Sequence, residues 1–515
     1  MSSGDTLIHG LLSPKIWRQA DGEPTLLETH ISWVILTGEY AYKIKKPLKL
    51  EFLDFSTLEL RRHWCEEELR LNRRWAPDLY LDVIPITGTP DRPVPGGSGA
   101  PIEYAVRMRR FPQSALLSNK LRDGELETAD MLELAEMIAD RHAEAPVNRE
   151  ARFGGLAAVR KPMIENLLYL EPWLEKAELA QLDAWTRAEL DRNASVIEGR
   201  RQDGFVRECH GDLHLRNLVE LDGRIVAFDC IEFSDELRML DVISDLSFLA
   251  MDLVAAGRGD LAWTLLNRYL EVSGDYAGTR LYGLYFVYHC LIRAKVDAIR
   301  ASERRHDADR EDDLAGMRHY CDVARHWIDA SAPALVLMHG YSGSGKTWVS
   351  SRLLERLGAV RLRSDIERKR MHGIAEDAST GSAPGEGLYD ADTSARTYER
   401  LFTLTGELLD AGHRVILDAA FLDADRRRQA RALAAGLDAR FVIVDVTAPE
   451  ETVRRRIDAR AADASEADQA VLDYQHRHAV PLDEETDGPV VTFVNDGGAG
   501  IDALAASITA ITGLR

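Results

Sequence analysis

Two stretches of this chain place residue types at spacings that suit chemistry on phosphates. The first is Gly340-Tyr341-Ser342-Gly343-Ser344-Gly345-Lys346-Thr347, which satisfies G-x-x-x-x-G-K-[ST]. Glycines let backbone N–H groups close around phosphate oxygens, and the start of a following helix adds its positive end. Lys346 would put a cation on the β- and γ-phosphates of a nucleotide, and the Thr347 hydroxyl can ligate Mg²⁺. Ordinary residue usage produces this pattern by chance in on the order of one or two per cent of chains of this length. Context lowers that further: the apolar run Ala334–Met338 precedes it, and a helical pattern with Val349, Leu353, Leu354 and Leu357 follows. The bland alternative is a glycine-rich turn.

The second stretch runs from Glu208 to Phe233. His210, Asp212 and Asn217 match H-x-D-x-x-x-x-N, a spacing that lets one short loop bring a carboxylate to an acceptor hydroxyl and a carboxamide oxygen to Mg²⁺. Asp229 ends the strand-like run Arg-Ile-Val-Ala-Phe and would be the main Mg²⁺-binding carboxylate, since hard oxygen ligands suit that ion. The H-x-D spacing alone would equally describe a polar loop with a structural His and Asp. Asn217 and Asp229 in register with it favour the chemical reading.

Further candidates follow the phosphate loop. Asp418 ends Val-Ile-Leu-Asp, the form of a strand-end aspartate that supports Mg²⁺. Asp365 follows Arg361-Leu362-Arg363-Ser364 and could orient or deprotonate an acceptor hydroxyl; as Ser364-Asp365 precedes Ile-Glu-Arg, a helix N-cap explains it equally well. Arg456 and Arg460 lie one helical turn apart and could close over a γ-phosphate, or simply form surface ion pairs. Together these features resemble the small P-loop kinase group that includes polynucleotide kinase 5′-hydroxyl domains, gluconate kinases and zeta-toxin kinases. The resemblance covers about residues 333–515 and implies transfer of an ATP γ-phosphate to a hydroxyl, without fixing the acceptor.

The loop His-Gly-Asp-Leu resembles that of the aminoglycoside phosphotransferase family, over roughly residues 25–300. That resemblance implies a bilobal protein-kinase-like fold and ATP-dependent phosphorylation of a small molecule's hydroxyl, with Asp212 as catalytic base and Asn217 and Asp229 as metal ligands. It also implies that Lys43, on the strand Tyr40–Lys45, holds the α- and β-phosphates. Lys45 shares its face by the two-residue period and could replace it. The carboxylate partner should lie on the next helix: Glu68 falls on the apolar face with Trp64 and Leu71, and Glu67 is the fallback. Departures are informative. Only Gly38 stands where protein kinases carry G-x-G-x-x-G, Asp229 is followed by Cys-Ile-Glu rather than Phe-Gly, and no A-P-E segment follows. Small-molecule acceptors are therefore favoured over proteins, and Glu232 could add a second carboxylate. The order of the two modules, with Tyr-Lys-Ile-Lys-Lys-Pro and Glu-Glu-Leu-Arg-Leu-Asn, resembles a bacterial family described as bifunctional aminoglycoside phosphotransferase/ATP-binding protein.

Patterning supplies the elements that must hold these residues. Ile31–Leu36 and Tyr40–Lys45 flank Thr37-Gly38-Glu39, a hairpin signal. A helix is expected over Ser56–Trp75, with Leu60, Trp64, Leu71 and Trp75 on one face, then strands at Val83–Ile86 and Ile102–Met108 joined by a Gly- and Pro-rich loop over 88–101. Residues 126–200 and 240–330 read as helical. The last helix, with Leu314, Met317, Cys321, Ala324 and Ile328 in register, should pack rather than act as a loose linker. From Pro333, strands at Ala334–Met338, Val360–Leu362, Val415–Leu417, Phe441–Val446 and Val490–Val494 alternate with helices, which implies a parallel α/β sheet. The expected layout is a kinase-like α+β domain over 1–330, its lobes meeting near residue 110, and a P-loop α/β domain over 331–515.

Bulk composition sets outer bounds. With 64 Lys and Arg against 85 Asp and Glu, the net charge of −21 repels polyanions and disfavours an extended nucleic-acid footprint. The run Arg426-Arg427-Arg428 reads as a solvated helix face. Five cysteines, none in C-x-x-C, do not suggest a disulfide framework or zinc site. No signal peptide or apolar run of about 18 residues is apparent, so a cytoplasmic protein without membrane spans is expected. The reading that best joins these features is a phosphotransferase with two ATP sites, Mg²⁺ as cofactor and small-molecule hydroxyl acceptors. The alternatives are one catalytic site beside an ATP-sensing P-loop, or a 5′-hydroxyl polynucleotide kinase in the C-terminal half.

Overall fold

The computed structural model describes residues 3–17, 23–50, 53–304, 306–330, 332–376, 378, 390–458, 469–496 and 500–513. The chain divides into two compact units, residues 1–162 with 194–252, and residues 163–193 with 253–515. The boundary expected near residue 331 thus falls inside the second unit.

In the first unit, alternating residues build an antiparallel sheet of six strands in the order Thr25–Glu28, Ser32–Thr37, Tyr40–Lys45, Glu103–Arg109, Tyr80–Thr89, Arg92–Pro95. The Gly- and Pro-rich stretch expected as a loop thus contains an edge strand, where proline costs no ladder bond. The helix Leu58–Trp75 packs on this sheet, its first turn capped by Thr57 Oγ accepting from Leu60 N at 3.2 Å. Its buried face is Arg61, Cys65, Glu68, Leu71, Asn72 and Trp75. Leu60 and Trp64, expected on that face, are only half-buried. The stripe is rotated because the helix turns polar groups inward: Arg61 pairs with Glu103 at 2.9 Å, and Glu68 meets lysines of the sheet. The helix Thr128–Glu144, the hairpin Leu218–Leu221/Arg224–Ala227 and the short pair Val206–Glu208/Met239–Asp241 carry the second motif.

The second unit contains a parallel sheet in the order Ala359–Arg363, Arg414–Asp418, Ala334–His339, Arg440–Thr447, Val490–Val494. All five strands coincide with expected runs, because each is a short apolar stretch between helical patterns. The core joins Val336, Met338, Ile416, Val442 and Val444 to Val349 and Leu353 of helix Lys346–Leu357 and to Leu504 and Ile508 of helix Ile501–Thr512. Helices from the sequence before residue 331 belong to this unit too. Asp307–Asp329 packs against Thr279–Glu303, with Trp327 stacked on Phe286 at 4.3 Å, and Gly259–Ser273 packs on helix Lys346–Leu357. The Arg426–Arg428 run departs from expectation. Arg427 is fully buried, paired with Asp487 at 3.0 Å and donating to the carbonyls of Phe421, Val480 and Pro481. It ties the loops at that end of the sheet together. Among the described residues no helix is long and apolar enough to cross a membrane.

Candidate functional site

Lys43 and Lys45 project from the same face of their strand, as a two-residue period requires, and meet the same carboxylate. Glu68 Oε1 lies 2.8 Å from Lys43 Nζ, and Oε2 lies 2.7 Å from Lys45 Nζ. Lys43 also pairs with Asp229 and Lys45 with Glu232. The two lysines are not equivalent. The Lys45 side chain has no exposure, whereas Asp229, the partner of Lys43, has 44% of its side chain in solvent. Lys43 is thus on the open side and Lys45 behind it. Glu67, the fallback, turns outward to Arg70. Burial disfavours every charge in this group, but Lys43 and Lys45 outweigh it at Glu68 and hold its carboxyl down at about 2. Burial also opposes the charge on Lys43, yet Asp229 and Glu68 hold its pKa well above the usual lysine range. Glu232, buried beside Glu68, is pushed upward instead.

The loop carrying Asp212 is held from behind. Asp245 accepts the backbone N–H groups of His210 and Gly211, both at 2.9 Å, and its carboxylate also lies 3.2 Å from His142 Nε2. Gly211 has φ +85°, and a Cβ there would sit 2.8 Å from the Leu237 carbonyl, so only glycine fits. His210 is fully buried. Its Nε2 is 3.0 Å from the Phe228 carbonyl, while its Nδ1 accepts from Asp212 N at 3.3 Å. That assigns the proton to Nε2. Asn217 Nδ2 donates to the Asp212 carbonyl at 3.0 Å and to its carboxylate at 2.9 Å, leaving the carboxamide oxygen as its second polar end. His214 Nε2 lies 3.4 Å from the Asp212 carboxylate. Asp229 adopts φ +64°, a strained conformation that Asp tolerates better than most residues, and its N–H donates to Tyr80 Oη at 3.1 Å. The structure therefore brings Lys43, Glu68 and Asp229 into one ion-paired group, and Asp212 with Asn217 into a hydrogen-bonded pair.

Asp245, His142 and Tyr80 escaped the sequence reading. Asp245 left a signal, a charged residue inside the apolar run Val242–Leu249. His142, Cys209 and Asp245 also lie close enough to suggest metal ligands, but Asp245 is engaged by two backbone donors and His142. All five cysteines are buried and free.

In the second unit the phosphate loop links strand Ala334–His339 to helix Lys346–Leu357. Gly345 has φ +94°, and a Cβ there would overlap Asn495 Nδ2 at 2.0 Å. Lys346 Nζ donates to the carbonyls of Gly340 at 2.8 Å and Tyr341 at 2.9 Å, so its ammonium lies over its own loop. Gly343 and Ser344 are buried within the loop. Gln475 brackets Ser342, accepting from its N–H at 2.8 Å and donating to its hydroxyl at 3.0 Å, while His476 stacks on Tyr341 at 4.2 Å. Thr347 is half-buried in the helix's first turn. Asp418, at the end of its strand, accepts from Ser350 Oγ at 2.8 Å. Arg456 donates to the Ser344 and Asn495 carbonyls, both at 3.2 Å, so it touches the loop's backbone. Arg460 lies outside the described residues. Asp365 is not the N-cap. That position belongs to Arg363, and Asp365 lies in the first helical turn with its carboxylate 2.9 Å from Arg368 Nη1.

A family model described as "Phosphotransferase enzyme family" matches residues 103–282, and one described as "AAA domain" matches residues 335–482. An uncharacterized protein of Mycobacterium tuberculosis is 32% identical over 445 residues, covering 85% of this chain and 87% of that protein. Among solved structures, a choline/ethanolamine kinase family protein from Mesorhizobium loti matches with TM-score 0.39 and 13% identity, covering 63% of this chain and 100% of that one. An APS kinase of M. tuberculosis, solved with AMPPNP and APS, matches with TM-score 0.25 and 20% identity, covering 35% of this chain and 97% of that one.

Proposed function

The chain belongs to the bacterial family of phosphotransferases in which an aminoglycoside-phosphotransferase-like kinase domain precedes a P-loop kinase-like domain, and we propose that it carries two ATP sites that each pass the γ-phosphate to a small-molecule hydroxyl. The observation that carries this reading is the convergence of Lys43, Glu68 and Asp229, together with the Asp212–Asn217 pair on one rigid loop. An apolar cluster supports a flat base nearby: Val34, Leu36, Ala41 and Met108 of the sheet cluster with Val219 of the hairpin and Phe228 just after it.

In this reading Lys43, locked by Glu68, holds the α- and β-phosphates. Asp212 accepts the proton of the acceptor hydroxyl as the hydroxyl oxygen attacks the γ-phosphorus and the bond from that phosphorus to the β-phosphate oxygen breaks, releasing ADP, and Asn217 fixes the carboxylate for that task. Asp229 and the carboxamide oxygen of Asn217 form an oxygen donor set that fits Mg²⁺, which would neutralise charge on the phosphates. In the second site Lys346 and the loop's N–H groups hold phosphate, Thr347 and Asp418 supply a second oxygen pair for Mg²⁺, and Arg456 stands at the loop. Asp365 is the candidate acceptor base.

The test is transfer from labelled ATP to a pool of hydroxyl metabolites. Asp212→Asn is expected to remove one set of products, with a rate loss of roughly 10²–10⁴-fold, the range for a lost general base. Lys346→Ala is expected to remove the other set. Products unchanged in both variants would overturn the two-site reading. Loss of all products in Lys346→Ala would favour a single catalytic site governed by a nucleotide-sensing P-loop.

A further inference from the structure

Among the described residues the edge strand Ala359–Arg363 has no strand on its outer side, yet two of its outward backbone groups are hydrogen-bonded. Asn267, on helix Gly259–Ser273, donates Nδ2 to the Ala359 carbonyl at 2.9 Å and accepts the Arg361 N–H at Oδ1 at 2.6 Å. Its carboxamide thus stands in for one peptide of a missing neighbour strand. Glu271, one turn further along the helix, meets the same residue: its carboxylate lies 2.7 Å from Arg361 Nη2, with both side chains buried. Arg361 is therefore held at its backbone by Asn267 and at its guanidinium by Glu271.

The other terminal nitrogen, Nη1, donates to the hydroxyls of Ser350 and Ser351 in the helix after the phosphate loop. Arginine has donors only, so the Ser350 oxygen must act as acceptor towards it. Its own proton then has two acceptors in reach, the Asp418 Oδ2 at 2.8 Å and the Thr347 carbonyl at 3.1 Å, and the nearer, charged carboxylate is the stronger acceptor. Ser350 has no exposure and Asp418 is 5% exposed, so solvent does not compete. A continuous polar chain runs from Glu271 through Arg361 and Ser350 to the carboxylate at the end of strand Arg414–Asp418.

We propose that Glu271 and Asn267 are positioning residues of the P-loop site, fixing the Asp418 carboxylate for its metal through Arg361 and Ser350. This rests on the reading of that site as one for Mg·nucleotide. A helix that precedes the P-loop module in sequence thereby becomes part of its metal site, as partners behind metal ligands commonly do by orienting them.

The test uses the full chain carrying Asp229→Ala, so that the first site does not contribute, with ATP fixed and Mg²⁺ titrated while the melting temperature is followed. Ser350→Ala is expected to raise the half-saturating Mg²⁺ by roughly 10–100-fold, the usual effect of losing a partner behind a ligand. Stabilisation by ATP in EDTA should not change. Glu271→Gln is expected to shift the Mg²⁺ midpoint in the same direction. If that variant does not fold, Arg361→Lys, which keeps a cation for Glu271 but withdraws the fork from Ser350, is expected to show the shift. An unchanged Mg²⁺ midpoint in these variants, while Lys346→Ala abolishes stabilisation by ATP, would overturn the proposal and leave the nucleotide site standing. ATP stabilisation that survives Lys346→Ala would overturn both.

Discussion

His210 shows how one side chain can tie the loop that carries Asp212 to pH. Burial holds its pKa below the ordinary histidine value, and its two ring nitrogens are committed, Nε2–H to the Phe228 carbonyl and Nδ1 to the Asp212 N–H. Protonation of Nδ1 would set a donor against that N–H. Because the folded pKa lies below the unfolded one, the stability His210 contributes is complete above about pH 6.5 and is lost as pH falls through the folded value. The buried His413 has the same sign. The denaturation midpoint is therefore expected to fall between pH 7 and pH 5, and His210→Gln, which does not titrate, should fall less over that interval. An equal fall in both proteins would remove His210 from the account. The carboxylates Glu68 and Asp245, held low, add their own losses only at more acid pH.

Helix Leu58–Trp75 is amphipathic in an unusual sense, since the face it buries carries Arg61, Glu68 and Asn72 among its apolar residues. Asn72 accepts the Cys230 N–H at 3.0 Å, so the helix holds the segment after Asp229 as well as Lys43. Adjacent glutamates on this helix should therefore behave very differently. Glu67→Gln removes a surface pair with Arg70, where the expected loss is at most about 1 kcal/mol. Glu68→Gln leaves two buried lysines sharing fewer charges, and breaking such a group typically costs about 3–5 kcal/mol. Urea midpoints for the two variants check this, and equal midpoints would mean that the Glu68 group is not buried as described.

The second compact unit takes in helices from before residue 331, and the consequence is measurable. A fragment of residues 331–515 keeps the five strands but loses Asn267 and Glu271 from the edge strand. It also loses Trp263, whose ring lies against Gly358. A fragment of residues 253–515 keeps all three. The shorter piece is expected to be less stable by at least about 2 kcal/mol, roughly 1 for each Asn267 hydrogen bond. Coincident denaturation curves would show that the helices add nothing and that a cut at 331 separates self-sufficient modules.

Much of this molecule is legible in the residues alone. The phosphate loop, the Asp212–Asn217 spacing and the five parallel strands are local patterns, set by glycine, by short polar spacings and by apolar runs, and local patterns survive without knowledge of what lies opposite. Glu68 reads as the inward glutamate for the same reason, since helical period alone turns it, not Glu67, inward. What the sequence left open was whatever depends on partners far along the chain. Whether Lys43 or Lys45 faces outward is decided by Asp229 and Glu232, nearly two hundred residues on. Arg427 reads as one of three surface arginines until Asp487 and three carbonyls enclose it. Asn267 and Glu271 look like ordinary helix residues until strand Ala359–Arg363 arrives beside them. Burial strengthens an ion pair or hydrogen bond by excluding water, and only the folded chain determines which groups water is excluded from.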